Sequence, residues 1–424
     1  MPGGPREPAH SSGRHGKRPV STAAPCVLAV NAGSSSIKFA LYPVLPGSGA
    51  APTIADALLT GMLQGLEPGG RPCAEWRDAH GRRSASIATD LGPIDAALES
   101  LTGILARQDR PPALLAIAHR IVHGGGRYRT ATLVDDRVLA DLGALAALAP
   151  LHQPHNLKGV EVFRGAYPAV PQVACFDTAF HADLPALEYR FGLDPAVVGE
   201  ELRRYGFHGL SYQFVCGRLA HLSQRAGARL LMAHLGNGAS LCAARDGKSV
   251  ATTMGFSTLD GLLMGTRCGA LDPGVLLHLQ GRGWSHGALE DLLYRRSGLL
   301  GVSGISADMR TLRASTDPAA TFAIELFTHR VVREAGALTA VLGGLDVLAF
   351  SGGIGEHDSG LRAAVCARLA YLGVRLDAGA NLAADGHAPA ALHAPDSPVE
   401  IWLVPTDEGR VAAEAALGLV GNPA

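Results

Sequence analysis

The stretch Met232–Pro273 reads MAHLGNGASLCAARDGKSVATTMGFSTLDGLLMGTRCGALDP, and its punctuation points to the fold class. The apolar run from Arg229 to Leu235 has the composition of a strand. Gly236-Asn237-Gly238 turns the chain into a second apolar run, Ala239 to Ala244. Asp246-Gly247 is a two-residue hairpin signal, and Ser249 to Thr253 starts a third strand. The stretch therefore predicts a β-meander under a glycine bend, a backbone that lets N–H groups face a bulky anion. Further on, Gly265-Thr266-Arg267-Cys268-Gly269 sets an arginine in an uncrowded loop. An anion-accepting bend followed by a fork-shaped cation suggests phosphate chemistry. Two ordinary turns and a solvated arginine are the plain alternative.

Working outward, a second segment has the same form. Cys26–Tyr42, CVLAVNAGSSSIKFALY, is strand, polar turn, strand. Its turn offers Asn31, Gly33 and the hydroxyls of Ser34, Ser35 and Ser36, with Lys38 just after. Hydroxyls and backbone N–H groups bond phosphate oxygens, and lysine adds a point charge. A P-loop would continue into a helix, whereas a strand follows here. Two such halves would clamp a nucleotide between them.

Strand ends carry the remaining candidates. Leu114 to Val122 is a buried strand running into His119-Arg120-Ile121-Val122-His123 and a triple glycine. Val170 to Phe176 is another, ending at Asp177, a carboxylate placed either to hold magnesium through water or to cap a helix. Ligands gather at such ends in α/β proteins. Between them, Leu91–Gln108 and Asp135–Ala149 read as helices, and Pro150–Leu157 reads as a rigid prolyl turn bearing His152 and His155. His208 lies between Phe207 and Gly209, ahead of a helix from Tyr212 to Gln224. Asp317-Pro318 starts a long helix that Gly343-Gly344 stops at Leu342. Asp346–Phe350 is a strand that enters the glycine loop Ser351–Glu356, followed by a helix from Ser359 to Leu369. Glu400–Val404 and a helix from Arg410 to Leu419 complete the chain.

Composition narrows the class. The chain has 424 residues, 47% hydrophobic and 18% charged, which predicts a well-cored globular protein of two or three domains. A net charge of -1 gives no sign of a nucleic-acid partner or an anionic membrane surface, and neither is expected. No apolar run approaches the ~20 residues of a membrane span. The seven cysteines are scattered, without CxxC or zinc-knuckle spacing, which fits a reducing, cytoplasmic setting. Residues 1–25 read as a disordered, mildly basic tail.

In order along the chain, VNAGSSSIKF, HRIVHGG, APLHQPHNLKG, FDTAFH, YGFHGLS, HLGNGAS, GFSTLDGLLMGTRCGALDPG, FSGGIGEH and PTDEG resemble the acetate kinase family, within the acetate and sugar kinase, Hsp70 and actin superfamily. The resemblance implies an α/β, two-lobed, actin-like (ribonuclease H-like) fold with duplicated domains around a cleft. The lobes would be 26–177 with 409–424, and 178–408. It implies Mg²⁺-dependent phosphoryl transfer between ATP and acetate, giving acetyl phosphate and ADP, with Mn²⁺ as an alternative metal, in a cytoplasmic homodimer. Asn31, Ser34, Ser36 and Lys38 match one phosphate loop; His234, Gly236, Asn237 and Gly238 match the other. Arg120, Arg267, His208, His152 and Asp177 match catalytic positions, and Asn31, Asp177 and Glu408 lie where the metal would be. Val122, Leu151, Phe207 and Pro273 match the acyl pocket. Asp308, Met309, Arg310, Gly353, Ile354, Gly355 and His357 match the adenosine site. His357, Met309, Gln153, Leu263 and Ala270 depart from the residues commonly found there. A propionate or butyrate kinase on the same scaffold, or a non-catalytic nucleotide-binding module of Hsp70-like shape, are the alternatives.

Overall fold

The computed structural model describes residues 25–33, 36–47, 51–66, 70–87, 93–108, 112–150 and 152–421. Ser34, Leu151 and nearly all of the N-terminal tail lie outside the described residues.

Two sheets organise the chain. The first contains β1 (Pro25–Ala32), β2 (Ser36–Leu45), β3 (Thr53–Ile54), β4 (Leu59–Gln64), β5 (Cys73–Asp78), β6 (Gly81–Ser86), β7 (Ala113–Ile121), β8 (Thr132–Leu133) and β9 (Gln172–Phe176). Its order is β6-β5-β4-β2-β1-β7-β9-β8, with β3 beside β2. The second contains β10 (Leu230–Leu235), β11 (Ala239–Arg245), β12 (Lys248–Thr252), β13 (Val347–Ser351), β14 (Ala390–Ala391) and β15 (Glu400–Leu403), in the order β12-β11-β10-β13-β15-β14.

The sheets repeat one pattern. In the first, β1 pairs antiparallel with β2 and parallel with β7, β7 pairs parallel with β9, and β8 closes the edge antiparallel. In the second, β10 pairs antiparallel with β11 and parallel with β13, β13 pairs parallel with β15, and β14 closes the edge antiparallel. The sequence similarity between the Asn31 and Asn237 turns is thus the visible part of a topological repeat.

Helices cover both faces of each sheet, which is why the central strands read as continuous apolar runs. Ala97, Leu101 and Ile104 of the helix Pro93–Ala106, with Phe163 of the helix Gln153–Ala166, pack on one face of the first sheet. Val411, Ala412 and Ala416 of the helix Glu408–Val420 pack on the other. Phe327, Val331 and Ala335 of the helix Pro318–Leu342 cover one face of the second sheet. The helix Gly209–Leu222 serves both lobes: Leu210 joins the core of the first sheet, and Tyr212, Val215 and Leu219 join that of the second.

Local signals explain the element ends. Asp246 and Gly247 both have positive φ, 51° and 71°, as a two-residue hairpin with right-handed strand twist requires. Asp317 caps the helix Pro318–Leu342 through Ala319 N–H, Pro318 occupies its first turn, and Gly343 ends it in the left-handed region. Three expectations need correction. Pro150–Leu157 is not a free turn: a helix starts at Gln153, with Pro154 where its missing N–H has no partner to lose. The glycine loop after β13 is itself a short helix, Gly352–His357. Asp177 caps nothing, because Thr178 precedes the following 3-10 turn and the aspartate side chain is committed elsewhere.

Candidate active site

The parallel strands β1, β7 and β9 end together, and so do β10 and β13. Val30 pairs with His119, so Asn31 emerges beside Arg120. Arg120 pairs with Cys175, so Asp177 follows one strand over. Arg120 donates from Nε to Asp177 Oδ1 at 2.9 Å and from Nη2 to Oδ2 at 2.6 Å, a two-pronged bond. Glu408 Oε2, at the start of the helix Glu408–Val420, lies 3.4 Å from the same Nε. Burial drags the Arg120 guanidinium down, but Asp177 and Glu408 more than reverse it, and the group stays charged. Burial pushes the Asp177 carboxyl up, opposed by the guanidinium on which both oxygens rest.

Opposite stand the groups of the second sheet. His208, the residue before the helix Gly209–Leu222, has φ 59°, a left-handed conformation unusual for a residue with a side chain. Three contacts hold it there. Gly209 N–H donates to Asp177 O at 2.9 Å, His181 Nε2 bonds Phe207 O at 3.0 Å, and the His208 ring stacks on His234 with centroids 4.3 Å apart. Gly238 lies beneath them. A Cβ built on Gly238 would stand 2.8 Å from Arg267 Nη2 and 3.3 Å from His208 Nε2, so two nitrogens converge over a bare backbone. Gly265 leaves room for the Asn237 carboxamide, which would overlap any side chain there.

Arg267 donates from Nη1 to Thr258 O at 2.7 Å and has no carboxylate partner among the described residues. Burial lowers it to about 10, Tyr294 offsets part of this, and Arg120 adds repulsion. His152 is lowered to about 3 by burial, then by Arg267 and Arg120. His234 is lowered to about 4 by burial and Arg120, against Asp177. His208 falls well below the usual range through burial, then His234, Arg120 and Arg267. These mutual influences cross from one sheet to the other: Arg120, His152, Asp177, His208, His234 and Arg267 lie close enough to act on one another.

Val122 and Phe207 join one buried cluster with Ala149, Met254 and Leu263. Pro273 does not: it is exposed at the first turn of the helix Pro273–Gly281. At the other end of the second lobe, Asp308 caps the helix Met309–Ala314 through Arg310 N–H. Arg313 of that helix pairs with Asp358 at 3.0 Å, bringing it to the end of the short helix carrying Gly353, Ile354 and His357. The Met309 side chain is absorbed by the core, and Gly355 is buried over β10.

Sequence reasoning missed the supports of the Val122-His123 loop. Gln153 accepts from His123 N–H at 3.2 Å and donates to His123 O at 3.0 Å. Asn156 accepts from Val122 N–H at 3.0 Å and donates to Ala32 O, joining the ends of β1 and β7. The available signal was two amides, Gln153 and Asn156, three residues apart on the face that also carries the buried Val160 and Phe163.

Two matched lobes with converging strand ends define a two-lobed, actin-like α/β protein. The Acetokinase family model matches residues 26–414. The acetate kinases of Rhodopseudomonas palustris (strain CGA009) and Methylocella silvestris are 48% and 44% identical, over 91% and 94% of this chain and 96% and 99% of theirs. Among solved structures, Porphyromonas gingivalis acetate kinase superposes with a TM-score of 0.80 at 32% identity, covering 93% of this chain and 100% of that one. A propionate kinase from Francisella tularensis gives 0.82 at 32%, covering 92% and 98%. The chain belongs to the acetokinase family.

Proposed function

We propose that the chain transfers the γ-phosphoryl group of ATP reversibly to acetate, forming acetyl phosphate and ADP. The observation that carries this is Arg267, a largely enclosed guanidinium with no carboxylate partner among the described residues, converging with His208 Nε2 over Gly238. An unpaired cation in such a place is costly unless an anion completes it.

The chemistry follows from charge. Acetate is already ionised at neutral pH, so no strong base is needed. Its oxygen attacks Pγ, an O–P bond forms, the bridging O–Pγ bond breaks, and ADP leaves with the electron pair. The difficulty is repulsion between two anions, and it is met by positioning and neutralisation. Arg120 and Arg267 bracket the carboxylate and the migrating group, and His208 donates to it. Val122 and Phe207 wall the acyl methyl group. Asn31, Ser36, Lys38 and the Gly236–Gly238 bend hold the phosphates, and the Asp308 and Gly353 turns hold the adenosine.

Mg²⁺ is bound best by one or two carboxylates with phosphate oxygens and water. The oxygen donors Asn31, Asp177 and Glu408 fit that demand, and no group of three or more His, Cys, Asp or Glu among the described residues forms an all-protein cage. When bound, the ion would neutralise charge on the β- and γ-phosphates. Lobes of 26–177 with 409–424 and 178–408 are supported by the packing of the helix Glu408–Val420 on β1 and β7. A homodimer is supported by the helix Pro273–Gly281, PGVLLHLQG, which has no buried residue and exposes Val275 and Leu277. Leu277→Lys is expected to shift sedimentation to a monomer. No helix among the described residues is long and apolar enough to cross a membrane. A cytoplasmic location is supported by the free thiols of Cys73, Cys175, Cys216, Cys242, Cys268 and Cys366.

The deciding assay incubates the protein with Mg²⁺-ATP and acetate and traps acyl phosphate as hydroxamate. No hydroxamate means the proposal fails. Running acetate, propionate and butyrate side by side tests the pocket. One methylene is worth only ~1–3 kcal/mol, so propionate should be used poorly and butyrate hardly at all. A preference for butyrate would contradict the role given to Val122.

A further inference from the structure

We propose that Tyr212 and Ser240 form a hydroxyl relay that fixes the tautomer of His208, so that a neutral ring presents an Nε2–H donor to the migrating phosphoryl group. The proposal rests on the phosphoryl-transfer reading and deepens it. Tyr212 and Ser240 would be positioning residues.

The relay is a counting argument. Tyr212 and Ser240 are fully buried, and among the described residues the phenol's hydrogen-bond partner is Ser240 Oγ alone. Ser240 Oγ bonds His208 Nδ1 at 2.8 Å and has no third partner among the described residues. A buried hydroxyl proton needs an acceptor. The phenol must therefore donate to Ser240, which then has one proton left and one neighbour to receive it, His208 Nδ1. A ring nitrogen that accepts carries no hydrogen, so the proton of the neutral ring lies on Nε2. If His208 instead donated from Nδ1, one of two buried protons would be stranded. Either the serine would pass its proton to the phenol oxygen, leaving the phenolic proton without an acceptor, or it would accept from both neighbours and strand its own. Each costs a buried unsatisfied donor. An imidazolium also donates from Nδ1 and meets the same objection. Burial, with Arg120, Arg267 and His234 close by, holds the ring neutral as well.

The direction matters because Nε2 faces the cleft. It converges with Arg267 Nη2 on the space over Gly238 where a Cβ would stand. With the proton on Nδ1, Nε2 would turn a lone pair toward an anion. Wrong-tautomer histidines are known to lose most of their catalytic effect with geometry intact. The phenol is also well placed for a clean test, since its ring packs on Phe180 and His181 independently of the hydroxyl.

The test uses full-length, ¹⁵N-histidine-labelled protein without substrate at about pH 7. Long-range ¹H–¹⁵N correlation spectra report which ring nitrogen is protonated, and His208→Asn assigns the signals by their loss. The expected result is an unprotonated Nδ1 and a protonated Nε2. A ring protonated on Nδ1, or on both nitrogens, overturns the relay. Ser240→Ala removes the donor facing Nδ1; it should move the His208 signals toward the Nδ1–H form and lower kcat by about tenfold, the worth of one hydrogen bond, with KM for ATP unchanged. Tyr212→Phe leaves the serine proton the same acceptor, His208 Nδ1, and should keep the Nε2–H form. An unchanged His208 spectrum in Ser240→Ala, or a ring protonated on Nδ1 in Tyr212→Phe, overturns it too. The spectra need no turnover, so they judge the relay separately. Normal turnover by His208→Ala would instead defeat the phosphoryl-transfer role of this histidine.

Discussion

Arg120 and Arg267 differ in a way that residue type alone does not reveal. Arg120 is held by two carboxylates, whereas Arg267 leans on one carbonyl and points its other nitrogen into the cleft. Replacing either with alanine should lower kcat by about 10²–10³, the usual loss when one charged or oxyanion-type donor is removed. Steady-state hydroxamate assays measure it, and near-normal turnover would refute the role. Side effects should also separate them. Arg120→Ala leaves Asp177 buried without its partner and should lower the melting temperature. Arg267→Ala relieves a cation without a counter-ion and should leave stability level or raise it. At this scale the sequence was legible where chemistry is carried by rare types at strand ends, as with Arg120 and Asp177. It was not legible at Gln153, Asn156 and Thr258, whose roles depend on which backbone groups the fold leaves unpaired nearby.

Among the elements, the short helix Gly352–His357 runs most directly against local preference. A glycine-rich run predicts a loop, since glycine weakens a helix by roughly 1 kcal/mol each. The helix is rescued from outside. Glu356 accepts from Gly352 N–H at 2.8 Å and from Thr406 N–H at 3.1 Å. Arg362, fully buried, donates to the carbonyls of Gly355 and Glu356 at 3.0 and 2.8 Å and to the Asn381 side chain at 2.7 Å. A lysine ammonium has three donors, but all on a single nitrogen, and cannot reach acceptors spread around a planar guanidinium. Arg362→Lys should therefore cost about 3 kcal/mol in urea unfolding and raise KM for ATP more than it changes kcat. A stability loss within error of zero would show that the arginine does not hold this helix.

For the whole molecule, the cleft and the loops behind it hold an unusual stock of neutral histidines. Burial is the first cause in each case: His152 is lowered to about 3, and His119, His123, His181 and His234 to about 4. Their folded values lie below the unfolded value of about 6.5, so folding favours the neutral form. The stability they contribute is fully present above about pH 6.5. It should be lost progressively as the pH falls toward 4, where the unfolded chain takes up protons that the folded one refuses. Chemical denaturation at a series of pH values should show the urea midpoint falling across that window, and a flat midpoint would count against buried neutral rings. The same enclosure explains why these histidines could be listed from the sequence but not ranked.

The sequence by itself determined the central strands of both sheets, several of the longer helices, the hairpin at Asp246-Gly247 and the twofold repetition of strand, polar turn, strand; β3 to β6 and most of the shorter helices went unread. The features it determined depend on period, capping and turn chemistry, which act over a few neighbouring residues. Only the tertiary structure decided which strand ends meet. It seated His208 in a left-handed conformation against Asp177 and His234, kept Arg267 away from every carboxylate among the described residues, and left Pro273 at the surface. Those outcomes depend on contacts between segments far apart in the chain, where burial and pairing, rather than local preference, set the energy of each group.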